Sequence, residues 1–181
     1  YLNTGVFTLA RKRIVWLLVL MISATFTGFI INKYEVALES VVALASFIPM
    51  LMNNGGNAGS QASTLVIRGL VLGEIDFKNI FTVIWKEARV ALIVGSILSF
   101  VNFIRVYFIQ GYSLQISLTV SITIIATIIV AEIIGGILPI IAQKLKLDPA
   151  MMASPLITTI VDTVTLAIYF TLAVWIIGIT V

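Results

Sequence analysis

The chain has 181 residues, 60% of them hydrophobic and only 10% charged, with a formal net charge of +3. Soluble domains carry roughly a quarter charged residues, so a mean hydropathy of +1.15 puts this chain in lipid. It has no cysteine and no histidine, which rules out disulfides, thiol chemistry, histidine-based zinc sites and histidine proton relays.

A hydrocarbon core roughly 30 Å thick needs about 20 apolar residues per helical crossing. The length therefore suits an all-α membrane protein of five helices with short loops, read as a single transmembrane domain over residues 1–181. The opening YLNTGVFTLARKR does not read as a signal peptide, because its apolar run is too long and no small-residue cleavage site closes it. It reads as the continuation of something upstream.

The first span is expected from Ile14 to Ile31, closed by the polar break Asn32–Glu35. The second starts near Val36 and runs to about Ile67, through PMLMNNGGNAGSQASTLVIRG at Pro49–Gly69. That is long for one crossing, and its glycines are expected to bend or unwind it. A loop with Arg68, Glu74, Asp76 and Lys78 leads to the third span, Trp85 to Phe108. The QGYS turn at Gln110–Ser113 introduces the fourth, Leu114 to Ala142. The fifth, Pro149 to Ile179, opens on Asp148-Pro149, a capping side chain followed by a proline whose missing N–H costs nothing there.

Five crossings put the termini on opposite sides. With a cytoplasmic N-terminus, the inner face holds Arg11, Lys12, Arg13, Arg68, Lys78, Lys86, Arg89, Lys144 and Lys146, and the outer face only Lys33 and Arg105. This positive-inside bias predicts a multi-pass protein of the cell's inner (plasma) membrane with an extracytoplasmic C-terminus. It also accounts for the basic pI without nucleic acid. Trp16, Tyr34, Trp85, Tyr107, Tyr112 and Trp175 fall near span ends, as interface anchors do.

Two carboxylates lie inside spans, Glu132 in the fourth and Asp162 in the fifth. An acid at mid-bilayer costs about 2.5–3.5 kcal/mol on insertion scales and commonly faces a cavity or a partner. Asp162 lies about 20 Å along its helix from Pro149, near the middle of the membrane. Ser154, Thr158, Asp162, Thr165 and Tyr169 share one helical face, and no basic residue sits at matching depth in another span. A purely structural reading, with threonines bonded to their own helix and Asp162 paired across helices, is the weaker one. Asn53, Asn57 and Gln61 repeat every fourth residue, while Gly55 and Gly59, and Gly56, Ser60 and Thr64, form small-residue ridges. Small residues alone would serve helix packing. Packing has no use for the amides, whereas a water-filled passage does, and irregular backbone is tolerated along one. Glu132 precedes Gly135, Gly136 and Pro139, expected to loosen that helix. It is either a second cation site or a protonated group bonded to amides or threonines.

Carboxylate, hydroxyl and amide oxygens, with no cysteine or histidine beside them, suit alkali ions, Mg2+, Ca2+ or Mn2+. One acid cannot balance a divalent ion, but two chains with paired Asp162 residues can. Magnesium, reluctant to shed water, would pass hydrated.

RIVWLLVLM at Arg13–Met21, the pattern P-x-L-M-x-x-G-G-N-x-G-x-Q over Pro49–Gln61, the following IRGLVLGEI, and LDPAMMASPLITTIVD at Leu147–Asp162 together resemble the MgtE family of magnesium channels, over essentially the whole chain. The resemblance implies a homodimer with five helices per subunit and a central pore lined by the second and fifth. It implies that Asp162 holds hydrated Mg2+, with Mn2+ and other divalent cations as further candidates, and that Thr158 offers its carbonyl there. Ser154 stands where some members are expected to have asparagine. The resemblance also implies cytoplasmic N and CBS regulatory domains in full-length members, expected to be absent from residues 1–181. The candidate metal-binding residues are Asp162, Thr158, Ser154, Asn57, Gly56 and Glu132. A magnesium-selective channel is the leading reading, and an ion-coupled divalent-cation transporter the alternative. An intramembrane enzyme using Glu132 and Asp162 as acid and base has no nucleophile or motif to support it.

Overall fold

The computed structural model describes residues 5–179, without the side chains at positions 12, 16, 19, 23, 40 and 150–154. The anchor expected at Trp16 and the site residue Ser154 therefore lie outside the described side chains. All regular structure among the described residues is helical, as apolar segments in lipid require to satisfy their own backbone. In chain order these are α1 (Val6–Lys33), α2 (Glu35–Ser40), α3 (Ala43–Val71), α4 (Ile80–Ile104), α5 (Leu114–Lys144) and α6 (Pro149–Ile177).

Four segments are long and apolar enough to cross a membrane: Val6–Lys33, Phe77–Ile109, Leu114–Lys144 and Pro155–Ile177. The helix α3 has comparable length, 29 residues, but its amides and glycines dilute its apolar character and it is absent from that set. Among the described residues, four of the five expected spans are therefore shown as apolar crossings.

The expected unwinding of the glycine motif does not occur. Helix α3 continues through Gly55, Gly56 and Gly59, and the chain breaks earlier, at Val41, where φ is −136° and ψ is 80°. The reason lies in what the glycines touch. A Cβ on Gly55 would stand 2.6 Å from Val161 Cγ1 and 2.7 Å from Thr127 Cγ2; one on Gly59 would stand 2.5 Å from Ile157 Cγ2 and 3.0 Å from the Ala131 carbonyl oxygen. Their backbone is sealed against α5 and α6, where an unpaired N–H would find no water. Gly135 of α5 likewise lies directly on the Gly59 carbonyl. Helix α5 is also continuous past Gly135, Gly136 and Pro139, so it is not loosened there.

Around this contact α5 packs on α3, α4 and α6, and α3 on α6. Leu44, Leu51, Ile124, Ile128, Ile157 and Val161 fill the space between them and are fully buried. Two further contacts fix the ends. Tyr169 donates its hydroxyl to the Leu44 carbonyl at 3.0 Å, tying α6 to the start of α3. Asp76 and Asn79 cap the short turn before α4 reciprocally, at 2.8 and 2.9 Å, which starts that helix at Ile80, ahead of the expected Trp85. At its far end α4 widens into a π turn over Arg105–Ile109, with the Gln110 N–H donating to the Arg105 carbonyl at 2.9 Å. Helix α1 rests on α6 through a Thr27–Thr163 hydroxyl contact of 3.1 Å and leaves Leu17, Met21, Phe26 and Phe29 exposed.

Gly135→Ala is expected to destabilise the protein by about 1–3 kcal/mol, the usual cost of overpacking. Gly28→Ala on α1, where a Cβ would meet nothing within 4 Å, should leave the thermal midpoint unchanged or raise it slightly. Melting curves of both variants in detergent check this contrast.

Candidate cation-binding groove

Residues two apart on a helix lie about 200° apart around its axis. With Gly55 and Gly59 pressed onto α5 and α6, Asn53, Asn57 and Gln61 must therefore point away from that contact. All three are exposed. They open onto two adjoining clefts that share Asn57 and Ser60. One, of about 390 Å3, is lined by Met52, Asn53, Gly56, Asn57, Ser60, Thr158 and Asp162. The other, of about 510 Å3, is lined by Asn57, Ser60, Gln61, Thr64 and Leu65. From Met52 to Leu65 the polar strip runs about 20 Å along α3, at 1.5 Å per residue.

Asp162 reaches this groove from α6. It is neither fully buried nor fully exposed, and among the described residues it has no hydrogen bond and no ion pair. Thr158, one turn earlier, turns its hydroxyl back to the Pro155 carbonyl at 2.9 Å, so what it offers the groove is backbone and methyl. That methyl lies 3.2 Å from where a Cβ of Gly56 would stand. Thr64 also bonds its own helix, at the Ser60 carbonyl, 2.8 Å away. Among the described residues, the side-chain polar groups along the groove with no partner are thus the amides of Asn53, Asn57 and Gln61, the Ser60 hydroxyl and the Asp162 carboxylate: hard oxygen donors with one negative charge.

Of the expected site residues, Asp162, Thr158, Asn57 and Gly56 come together at one cleft. Glu132 does not line it; it is buried in α5. The polar face of α6 also divides. Thr165 and Tyr169, in line with Asp162, are 1% and 0% exposed and belong to the packing. Met52 lines the cleft although its apolar side chain gave no signal; its spacing of four from Gly56 and eight from Ser60 was the available clue. Among the described residues no three of Asp and Glu cluster as a metal cage.

A family model described as a divalent cation transporter, MgtE, matches residues 48–172, the segment that contains both the amide strip and Asp162. The chain belongs to the MgtE family. Three curated members show the same relation. The magnesium transporter MgtE of Bacillus subtilis is 38% identical over 171 residues, 94% of this chain and 38% of the relative. That of Thermus thermophilus is 34% identical over 173 residues, 96% and 38% respectively. That of Enterococcus faecalis is 30% identical over 164 residues, 91% and 36%. The chain thus spans a little over a third of the length of these MgtE proteins.

The absence of native cysteine makes groove hydration directly measurable. Maleimides are attacked by the thiolate, which forms in water and not in lipid or a packed core. Asn57→Cys and Ser60→Cys should label readily with a polar maleimide in membranes. Ala58→Cys and Ala62→Cys, at sites 7% and 3% exposed, should stay unlabelled; equal labelling of the two pairs would contradict a wet groove.

Proposed function

We propose that the groove is one side of a path that conducts hydrated Mg2+ across the inner membrane into the cytoplasm, down its electrochemical gradient. The observation that carries this reading is Asp162, a carboxylate in mid-helix that faces an amide-lined cleft with no basic partner among the described residues. A charge held that way is costly in lipid and inexpensive against water and cations. Magnesium exchanges its waters reluctantly, so the amides of Asn53 and Asn57 and the Asp162 carboxylate would act on its hydration shell. Ser154, four residues before Thr158 in sequence, is a further candidate by the family resemblance, and Mn2+ fits the same donors.

One Asp162 leaves a divalent ion half balanced. A second copy of the chain, its groove facing the first across a symmetry axis, supplies the other carboxylate and closes the open side. The path is then lined by α3 and α6 from both subunits. In this reading α3 is the fifth crossing, shielded from lipid by its neighbours and the partner, which removes the need for it to be as apolar as the other four. The N-terminus lies in the cytoplasm, where the basic residues concentrate. The magnesium transporter names of the relatives support the choice of ion.

A doubly charged ion held through water about 5 Å from a carboxylate gains on the order of 1.5–2 kcal/mol even at the dielectric of bulk water. Asp162→Asn should therefore cut Mg2+ flux by on the order of tenfold or more, measured with a fluorescent indicator in proteoliposomes, while the oligomer stays assembled. Undiminished flux would defeat the assignment. Flux through the intact protein should also follow voltage without a sodium or proton gradient; a strict need for either gradient would favour a coupled transporter. Gly56→Val, which puts two methyls into the cleft beside Thr158, should lower flux more than it lowers the melting midpoint.

A further inference from the structure

Glu132 takes no part in the groove, yet its situation calls for a partner. It is 6% exposed, and its Oε2 is fully buried with no hydrogen bond among the described residues. Gly136 follows it by one turn on the same face of α5. Pressed against that face is α4: a Cβ on Gly136 would stand 3.1 Å from both Glu87 Cγ and Val83 Cγ1. Glycine at this position lets the partly buried Glu87 lie along α5, one helical turn from Glu132. Lys86, exposed on the adjoining face of α4, forms no ion pair with Glu87. Arg89 is engaged elsewhere, with Nε on the Trp85 carbonyl at 3.3 Å and its guanidinium over the Trp85 ring.

We propose that Glu87 and Glu132 form a second divalent-cation site in the seam between α4 and α5, separate from the groove. Two carboxylates with an orphaned, dry oxygen between packed helices are a hard-oxygen donor set whose charge one divalent ion balances. An ion there joins α4 to α5 at the level where Ala131 and Gly135, on another face of α5, support Gly59 of α3. Its occupancy thus bears on the packing behind the amide strip and is not a step on the ion's path.

The test uses Mn2+ alone, followed by electron paramagnetic resonance and thermal unfolding of the purified chain. An Asp162→Asn background removes the groove carboxylate, so the result does not depend on whether the groove conducts. In that background the protein should still bind Mn2+ and melt at a higher temperature with it. Adding Glu132→Gln, which keeps shape and removes charge, should weaken binding by at least roughly tenfold. Glu87→Gln, at the more accessible partner, should do the same and serves where Glu132→Gln fails to fold. No Mn2+ binding by Asp162→Asn, or binding unchanged by both glutamine variants, would overturn the proposal. So would stabilisation that follows acid pH alone, which would mean a proton shared by the two carboxyls.

Discussion

The groove depends on how closely α3 can lie against α5 and α6. Helices in lipid are not driven together by the hydrophobic effect; they associate through van der Waals contact and hydrogen bonds, and small residues set how near the backbones come. Gly55, Gly59 and Gly135 leave no side chain in the way, so the α3 backbone rests on Ala131, Val161 and Ile157. That contact does two things. It gives a helix of modest apolarity a packed side, and it fixes its rotation. With the glycines turned inward, Asn53, Asn57 and Gln61 have one direction left, and it is the side on which Asp162 emerges from α6.

The same contact explains which features were legible in the sequence. Four-residue spacing reports helical faces directly, so the amide strip and its association with Asp162 could be read before any coordinates. The fourth and fifth segments were also clear, because Ser113 and Pro149 mark their starts. The backbone state of the glycines was not legible. Glycine permits unwinding and also permits close approach, and only the neighbouring helix decides between them. Here it supplies a dry surface, and the helix persists. The break at Val41 and the π turn over Arg105–Ile109 themselves contain no glycine or proline, so composition gives no punctuation at those residues.

Helix α6 shows a related limit. Thr158, Asp162, Thr165 and Tyr169 lie on one face by spacing, yet two of them meet the groove and two are core. Helical phase assigns a direction, but what lies in that direction changes along the axis. Near Asp162 the facing element is the polar side of α3. A few turns on it is the start of α3 itself, where the Tyr169 hydroxyl finds the Leu44 carbonyl. A polar stripe in a membrane helix is therefore a weaker indicator of a passage than its most costly member. Threonine can satisfy itself on its own helix, as Thr159 and Thr163 do. Aspartate cannot.

The two intramembrane acids make that argument from opposite sides. Among the described residues Asp162 is unpaired and open to a cleft, so its charge can be met by solvent and by cations. Among the same residues Glu132 is unpaired and closed in, with one buried oxygen that no hydrogen bond reaches. In the proposed reading, burial of an ionisable group is thus not what distinguishes the ion path. Accessibility combined with the lack of a fixed counter-charge does, because an ion that must leave again cannot be held in a closed seam. The α4–α5 seam has the carboxylates to retain a cation, and the α3–α6 groove has the openness to release one.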